Sequence, residues 1–230
     1  MTAAELLERT LYRDGLMLVV DKPAGIAVHA PPGGGVALES YFDALRFGLP
    51  KKPSLAHRLD KATSGCLVLG RHPKALRRLG RLFANEQVKK RYWAVVESEP
   101  ANQSGSIEFP LLKVDQDNHH WRMIVADGGK PSQTDYKVMG RSEDGVWLEL
   151  IPRTGRTHQL RVHCAAMGFP IVGDRLYGTT EHAISRYSLQ LHAQKIEIPL
   201  YPKRPPIVVE ALAPPHMFSL LTSCGYSGEL

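Results

Sequence analysis

HRLDKATSGCLVLG, residues 57–70, is the stretch on which the fold turns. Its first nine residues are mostly polar and end in the turn-forming run Thr63-Ser64-Gly65. Cys66 to Gly70 is a short apolar run without alternation, the pattern of a strand covered on both faces. Pro73, a favoured first helical residue, opens a helix predicted to reach about Asn85. KKRYWAVVE, residues 89–97, then alternates as a strand does. A loop, a buried strand, a helix and a second strand follow one another within some forty positions.

The same grammar extends in both directions. LMLVVD (16–21) reads as a strand closed by Lys22-Pro23, and the Pro- and Gly-rich segment up to Gly35 forbids helix and suggests a flexible lid around Gly33-Gly34-Gly35. LESYFDALRF (38–47) is predicted as a short helix. SIEFPLL, HWRMIVA and TDYKVMG read as strands of a meander, with polar connections at 98–106 and 113–120, and VWLELI runs as a strand to Pro152. TGRTHQLRVHCAAMG is a turn and then a helix, with Thr157 as N-cap, Leu160, Cys164 and Met167 on one face, and Gly168 as the stop. SLQLHAQKIEI and PPIVVEALAP supply two more strands. With no repeat and no linker, the expectation is a single α+β domain: a largely antiparallel mixed β-sheet with flanking helices over residues 11–230, preceded by a tail, 1–10.

Composition narrows the function classes. Of 230 residues, 43% are hydrophobic and 23% charged, a globular balance that excludes wholesale disorder. No run approaches the length of a membrane span, and the first fifteen residues lack a signal-peptide core. Cys66, Cys164 and Cys224 are odd in number and far apart, which fits a reducing cytoplasm and no disulfide framework. His158 and His163 lie five apart, poor spacing for two ligands on one helical face, so no metal is expected. Gly33-Gly34-Gly35 lacks the Lys-Ser/Thr of a phosphate loop.

The net charge of +6 is concentrated. Between Arg71 and Arg91 eight cations face the single carboxylate of Glu86, so the rest of the chain nets −1. On the predicted helix, Lys74, Arg77, Arg78 and Arg81 fall on one side and Ala75, Leu76, Leu79, Leu82 and Phe83 on the other. Such a stripe is a solvated face, a phosphate-contacting ridge or a membrane-surface helix; the absence of interfacial Trp disfavours the last.

Asp60 stands at the mouth of the buried strand, where a rigid element positions a carboxylate that stays accessible. It either caps the following turn or does chemistry. Arg156, His158 and Arg161 form a second polar cluster, and an arginine across a cleft would hold a carboxylate ionised, as a nucleophile or general base requires. Tyr92, next to Lys89, Lys90 and Arg91, suits either stacking on a base or an ordinary core position.

These residues resemble the RluA-type pseudouridine synthases, which isomerise uridine in ribosomal and transfer RNA. His57-Arg58-Leu59-Asp60 with Thr63-Ser64-Gly65 is similar to their signature. Asp21-Lys22-Pro23-Ala24-Gly25 resembles their early KPxG segment, Lys89 to Tyr92 their KxY strand, and Gly129 to Thr134 their GKxAxT run. Thr154 to His163 resembles TGRxHQLRxH, and Pro170 to Asp174 with Tyr177-Gly178 resembles PIxGDxxYG. The resemblance implies a pseudouridine synthase fold with a central cleft and a cofactor-free isomerisation of a flipped-out uridine. It implies that Asp60 is the catalytic aspartate, Arg161 its partner and Tyr92 the stacking tyrosine, while Arg58 fills the space that the base vacates. His57, Arg77, Arg78, Arg81, Lys89 and Arg91 are the expected substrate-binding residues, the RNA a tRNA or large-subunit rRNA stem-loop, and the protein a cytoplasmic monomer. Many relatives carry an S4-like domain ahead of these motifs; here the motifs begin within two dozen residues, so RNA affinity is expected from the catalytic domain. Ala62 stands where several relatives have Asp. A catalytically silent RNA-binding protein and a histidine-based metallohydrolase are the competing classes; joint presence of Asp60, Tyr92 and Arg161 speaks against the first, and chelator insensitivity would exclude the second.

Overall fold

The computed structural model describes residues 1–30, 34–116, 120–179 and 186–228, and the chain divides into two compact units. Each is assembled from separate segments: Met1–Lys90 with Ala193–Leu212, and Arg91–His192 with Ala213–Leu230. Two of the three boundaries fall inside strands, so no Gly/Pro or polar linker marks them and the sequence reads as one domain.

In the first unit the strand order is β1 (Thr10–Arg13), β2 (Met17–Lys22), β4 (Ser64–Gly70) and β11 (Leu191–Ile198), with β3 (Ser54–Leu55) on β4 and β12 (Ile207–Glu210) on β11. The β1/β2, β2/β4, β3/β4 and β11/β12 ladders are antiparallel. All seven residues of β4 are buried, as its unbroken apolar run requires. Gly65 is the tightest point. Its φ is +106, and a Cβ there would stand 2.3 Å from the Ala193 carbonyl oxygen. Only glycine allows that approach. Helix α2 (Pro73–Ala84) is capped by His72, whose Nδ1 accepts the Ala75 N–H at 3.2 Å. It buries Ala75 and Leu79, with Leu79 in a core shared with Met17, Val19, Cys66, Val68 and Ile196.

The second unit orders β5 (Lys89–Val96), β10 (Gly145–Pro152), β9 (Thr134–Ser142) and β6 (Ser104–Ile107) in antiparallel succession. A separate hairpin pairs β7 (Leu111–Gln116) with β8 (His120–Val125). Helix α3 is Gln159–Ala166, and the last helix, α4, is Pro215–Ser223. Val95, Trp147, Val172, Met217, Leu220 and Leu221 form its core, with the Trp93 and Trp147 rings edge to face at 5.2 Å. All three cysteines are buried, and burial pushes the Cys66 thiol up to about 12. No helix among the described residues is long and apolar enough to cross a membrane.

The strands 16–21, 66–70 and 89–97, the basic helix and the meander lie where the sequence places them, and 38–46 is a 3-10 helix. Four expectations change. Residues 1–10, read as a tail, hold α1 (Ala3–Glu8), closed by a capping box between Thr2 and Glu5 and packed on the 3-10 helix. Residues 104–106 and 113–116, read as connections, are strand: β6 at the end of the main sheet satisfies its backbone against β9, and 113–116 against β8, with little apolar surface. Thr157 does not cap α3; the chain enters it through His158 at φ 51. Met167 is 40% exposed, while Leu160 and Cys164 are buried. Part of the expected lid and of the 113–120 connection, residues 31–33 and 117–119, lies outside the described residues.

Gly65→Ala adds an unfavourable φ, about 1–3 kcal/mol by itself, to a clash with main chain that no rotamer relieves. The expected result is an unfolding free energy from urea denaturation lowered by at least that amount, or loss of soluble protein; a value unchanged from wild type would contradict the close approach.

Candidate active site

Asp60 sits half-buried at the end of a loop that the first unit fastens from below. Leu59 is buried, and the turn closes main chain to main chain, the Thr63 N–H donating to the Asp60 carbonyl at 3.1 Å. The fastening is Lys22. Its side chain is fully buried, and its ammonium donates to the carbonyls of Pro23 (2.8 Å), Ile26 (2.9 Å) and Lys61 (3.2 Å). The Lys61 carbonyl also accepts the Gly25 N–H at 2.8 Å. One charge thus ties the loop after β2 to the residue following Asp60. Burial pushes the Lys22 ammonium down to about 8, against the pull of the Asp60 and Asp21 carboxylates.

His57 holds the other side of this loop. Its Nε2 accepts the Val68 N–H at 3.0 Å, and its ring stacks on Phe83 of α2 with centroids 4.6 Å apart. An acceptor nitrogen requires the neutral ring, and burial together with the Lys90 ammonium pushes its pKa down to about 3. His57 therefore anchors the loop to β4 and α2 instead of presenting a charge. Arg58, between these anchors, is exposed. On α2 the expected division of faces holds: Lys74, Arg77 and Arg81 are exposed and Arg78 half-buried, while Ala75 and Leu79 are covered.

In the second unit Arg161 is clamped by Asp174. Nε donates to Oδ2 and Nη2 to Oδ1, both at 2.7 Å, with the carboxylate fully buried. Asp174 Oδ1 also accepts the N–H groups of Leu176 (2.9 Å) and Tyr177 (3.1 Å). The Arg161 guanidinium lies 5.1 Å from the Tyr177 ring centroid. The Tyr177 hydroxyl accepts the Met123 N–H at 3.1 Å and shares a hydrogen bond of 2.9 Å with His158 Nδ1. Gln159 locks the start of α3: its Oε1 accepts from Thr154 Oγ1 (2.7 Å) and the Arg156 N–H (2.9 Å), and its Nε2 donates to the Gln133 carbonyl (2.9 Å). His163 bonds Ser132 and Thr134. The two motifs 129–134 and 154–163 are thereby joined in one polar knot at the start of the helix that carries Arg161.

Tyr92 is half-buried on β5 opposite Leu150. Strand alternation puts it on the same face as Lys90. Its charged neighbours are engaged: Arg91 pairs with Glu149 at 3.0 Å, and Lys89 approaches Glu197 at 4.0 Å. The first unit thus collects Lys22, His57, Arg58, Asp60 and the α2 cations; the second holds Arg91, Tyr92 and Arg161. Lys22, Asp174 and Tyr177 lie inside recognised motifs but were given no role by spacing. A lysine ending the apolar strand MLVVDK was the available signal for Lys22; nothing local marks Asp174 as the partner of Arg161.

A sheet of this topology, carrying these motifs in this order, is that of an enzyme acting on uridine in RNA. The model of the RNA pseudouridylate synthase family matches residues 16–166, and the chain belongs to that family, whose members are isomerases. It is of the RluA type. An uncharacterized RNA pseudouridine synthase of Zymomonas mobilis is 43% identical over 211 residues, 91% of this chain and 95% of that one. The dual-specificity RNA pseudouridine synthase RluA of Escherichia coli is 37% identical over 82% of this chain and 85% of its own. The ribosomal large subunit pseudouridine synthase C of Buchnera aphidicola is 35% identical over 87% of this chain and 65% of its own. The fold matches that of human RNA pseudouridylate synthase domain containing 4 with a TM-score of 0.80 at 24% identity, covering 96% of this chain and 95% of that one.

Two outcomes follow from the geometry. The His57 ring, with its pKa pushed down to about 3, stays neutral while an unfolded chain would protonate near 6.5, so its contribution to stability is present above that value and is lost as pH falls toward 3. Its ring carbon NMR resonances should therefore not move between about pH 5 and 8, and a titration near 6.5 would refute the Val68 bond. Asp174→Asn leaves Arg161 without its buried counter-charge; unfolding free energy should drop by about 3–5 kcal/mol, measured by urea denaturation.

Proposed function

We propose that this chain isomerises specific uridines of ribosomal or transfer RNA to pseudouridine, with the Asp60 carboxylate as the group that does the chemistry. The observation that carries this reading is the placing of Asp60: a half-exposed carboxylate in the family's motif, on a loop fastened by buried Lys22 and neutral His57 to the rigid strand β4. The reaction breaks C1′–N1, turns the uracil, forms C1′–C5, and moves a proton from C5 to N1. Substrate and product are isomers, so no co-reactant is consumed and none is proposed. Attack of Asp60 on C1′, attack on C6, or removal of a sugar proton would each need the ionised carboxylate.

The reacting carbon is out of reach inside a base stack, so the uridine must be extruded. In this reading Tyr92 stacks on the uracil, Arg161 is the catalytic arginine, and Arg58 enters the vacated space. His57 serves through position, since its nitrogen and its face are occupied within the protein. Arg77, Arg78 and Arg81 follow the RNA backbone, while Lys89 and Arg91, which have carboxylate neighbours, contribute less. The RNA class is supported by relatives named for dual specificity and for the large ribosomal subunit. We place the enzyme in the cytoplasm as a monomer.

Asp60→Asn, which keeps shape and removes charge, is expected to abolish product while RNA affinity stays within a few-fold. Substantial turnover by this variant would overturn the assignment. Carbodiimide mapping of RNA from cells with and without the gene should reveal a discrete set of uridines whose modification disappears; an identical map would contradict the activity. Arg77→Gln with Arg81→Gln should flatten the dependence of RNA binding on salt by somewhat under one unit of slope per cation, as measured by fluorescence anisotropy.

A further inference from the structure

The cations of the first unit differ in whether a carboxylate answers them. Arg9 pairs with Asp21, Arg46 with Asp43, Lys89 with Glu197 and Lys195 with Glu210. Among the described residues, Lys74, Arg77, Arg78, Arg81, Lys203 and Arg204 form no ion pair. Two of these six converge on one ring. The Arg78 guanidinium lies 5.9 Å from the centroid of Tyr201, and that of Arg204 lies 5.4 Å from it.

The ring itself is fixed. The Tyr201 hydroxyl donates to Asp14 Oδ2 at 2.8 Å, Tyr12 donates to the same oxygen at 3.0 Å, and Asp14 Oδ1 accepts the Leu16 and Met17 N–H groups, both at 2.8 Å. Arg204 is held in turn: its N–H donates to the Tyr201 carbonyl at 3.1 Å, closing a turn with Pro202 at its second position, and Pro205-Pro206 follow. Both guanidinium groups thus lie beside one ring, and neither is paired with a carboxylate. A guanidinium over an aromatic face keeps its in-plane N–H edge available, and that planar edge matches phosphate oxygens.

We propose that Arg78, Tyr201 and Arg204 form a binding site for a backbone phosphate of RNA, carrying the basic face of α2 onto the 201–204 turn. This rests on the reading of the chain as an enzyme acting on RNA and adds an element far in sequence from every recognised motif. Because the ring is locked by Asp14, the two arginines meet the strand prearranged.

The test uses the full chain and a fluorescein-labelled RNA hairpin with a uridine loop, titrated across a series of potassium chloride concentrations. Arg78→Gln and Arg204→Gln should each reduce the slope of log affinity against log salt by about 0.7–0.9, and the double variant by about twice that. Tyr201→Leu should weaken binding at low salt as much as either single change, and Arg141→Gln, whose arginine pairs with Glu99, should leave the slope alone. All these positions are at or near the surface, and unchanged thermal midpoints would confirm folded variants. A wild-type slope that the double variant reproduces overturns this site and leaves the Asp60 reading standing. Absence of any salt-dependent RNA binding by the wild type overturns both. Retained RNA slope with lost binding to anionic phospholipid vesicles overturns it in favour of a lipid headgroup.

Discussion

The backbone of Ala193 meets the bare Cα of Gly65 in β4, and the first unit is organised around that contact. A side chain at Gly65 would occupy the Ala193 carbonyl, so β11 can lie against β4 only because glycine stands there. β4 then has β2 on one edge and β11 on the other, with every residue buried. A strand so enclosed has no freedom to tilt, and the loop that precedes it inherits this rigidity. Lys22 and His57 transmit it to Asp60, one through three carbonyls and the other through the Val68 amide. The expensive item is the buried ammonium, tolerable because three carbonyl dipoles and two nearby carboxylates replace its water.

The second unit solves a comparable problem with neutral groups. Gln159, Thr154, Gln133, Thr134 and His163 share hydrogen bonds in a closed set, and the charged pair of Arg161 and Asp174 sits at its border. A satisfied polar network specifies one arrangement, because any shift strands several donors at once. The residues of the two corresponding motifs are thus explained by what they bond to, and Arg161 is held at the edge of the knot by its clamp on Asp174.

Strands and the amphipathic helix were legible in the sequence because burial imposes a period on it: β4 has an unbroken apolar run, and α2 separates Ala75 and Leu79 from its arginines. The motif residues were legible by resemblance. What escaped was long-range. Asp174 is thirteen positions from Arg161, and Tyr201 is over a hundred from Arg78, so no local pattern announces either pair. The end of β7, residues 113–116, escaped for a different reason: the polar run Lys113-Val114-Asp115-Gln116 carries little hydrophobic signal and is held by its ladder with β8. Thr157 looked like a cap because side-chain capping is the usual device; here Gln159 and a left-handed His158 open the helix instead.

The division of each unit between distant segments has a consequence for synthesis on the ribosome. β4 needs β11 beside it, so the first ninety residues cannot complete their sheet until residues 193–212 have emerged. Until then that edge of β4, a strand buried along its whole length, lacks its native neighbour. Non-local pairing of this kind slows folding and leaves an unpaired edge open to aggregation. The second unit has its own delay, since α4 follows the whole 193–212 segment and supplies Met217, Leu220 and Leu221 to its core. Neither unit is a vectorial folding unit; the nascent chain must be kept from misassociating until residues 193–212 and α4 have emerged.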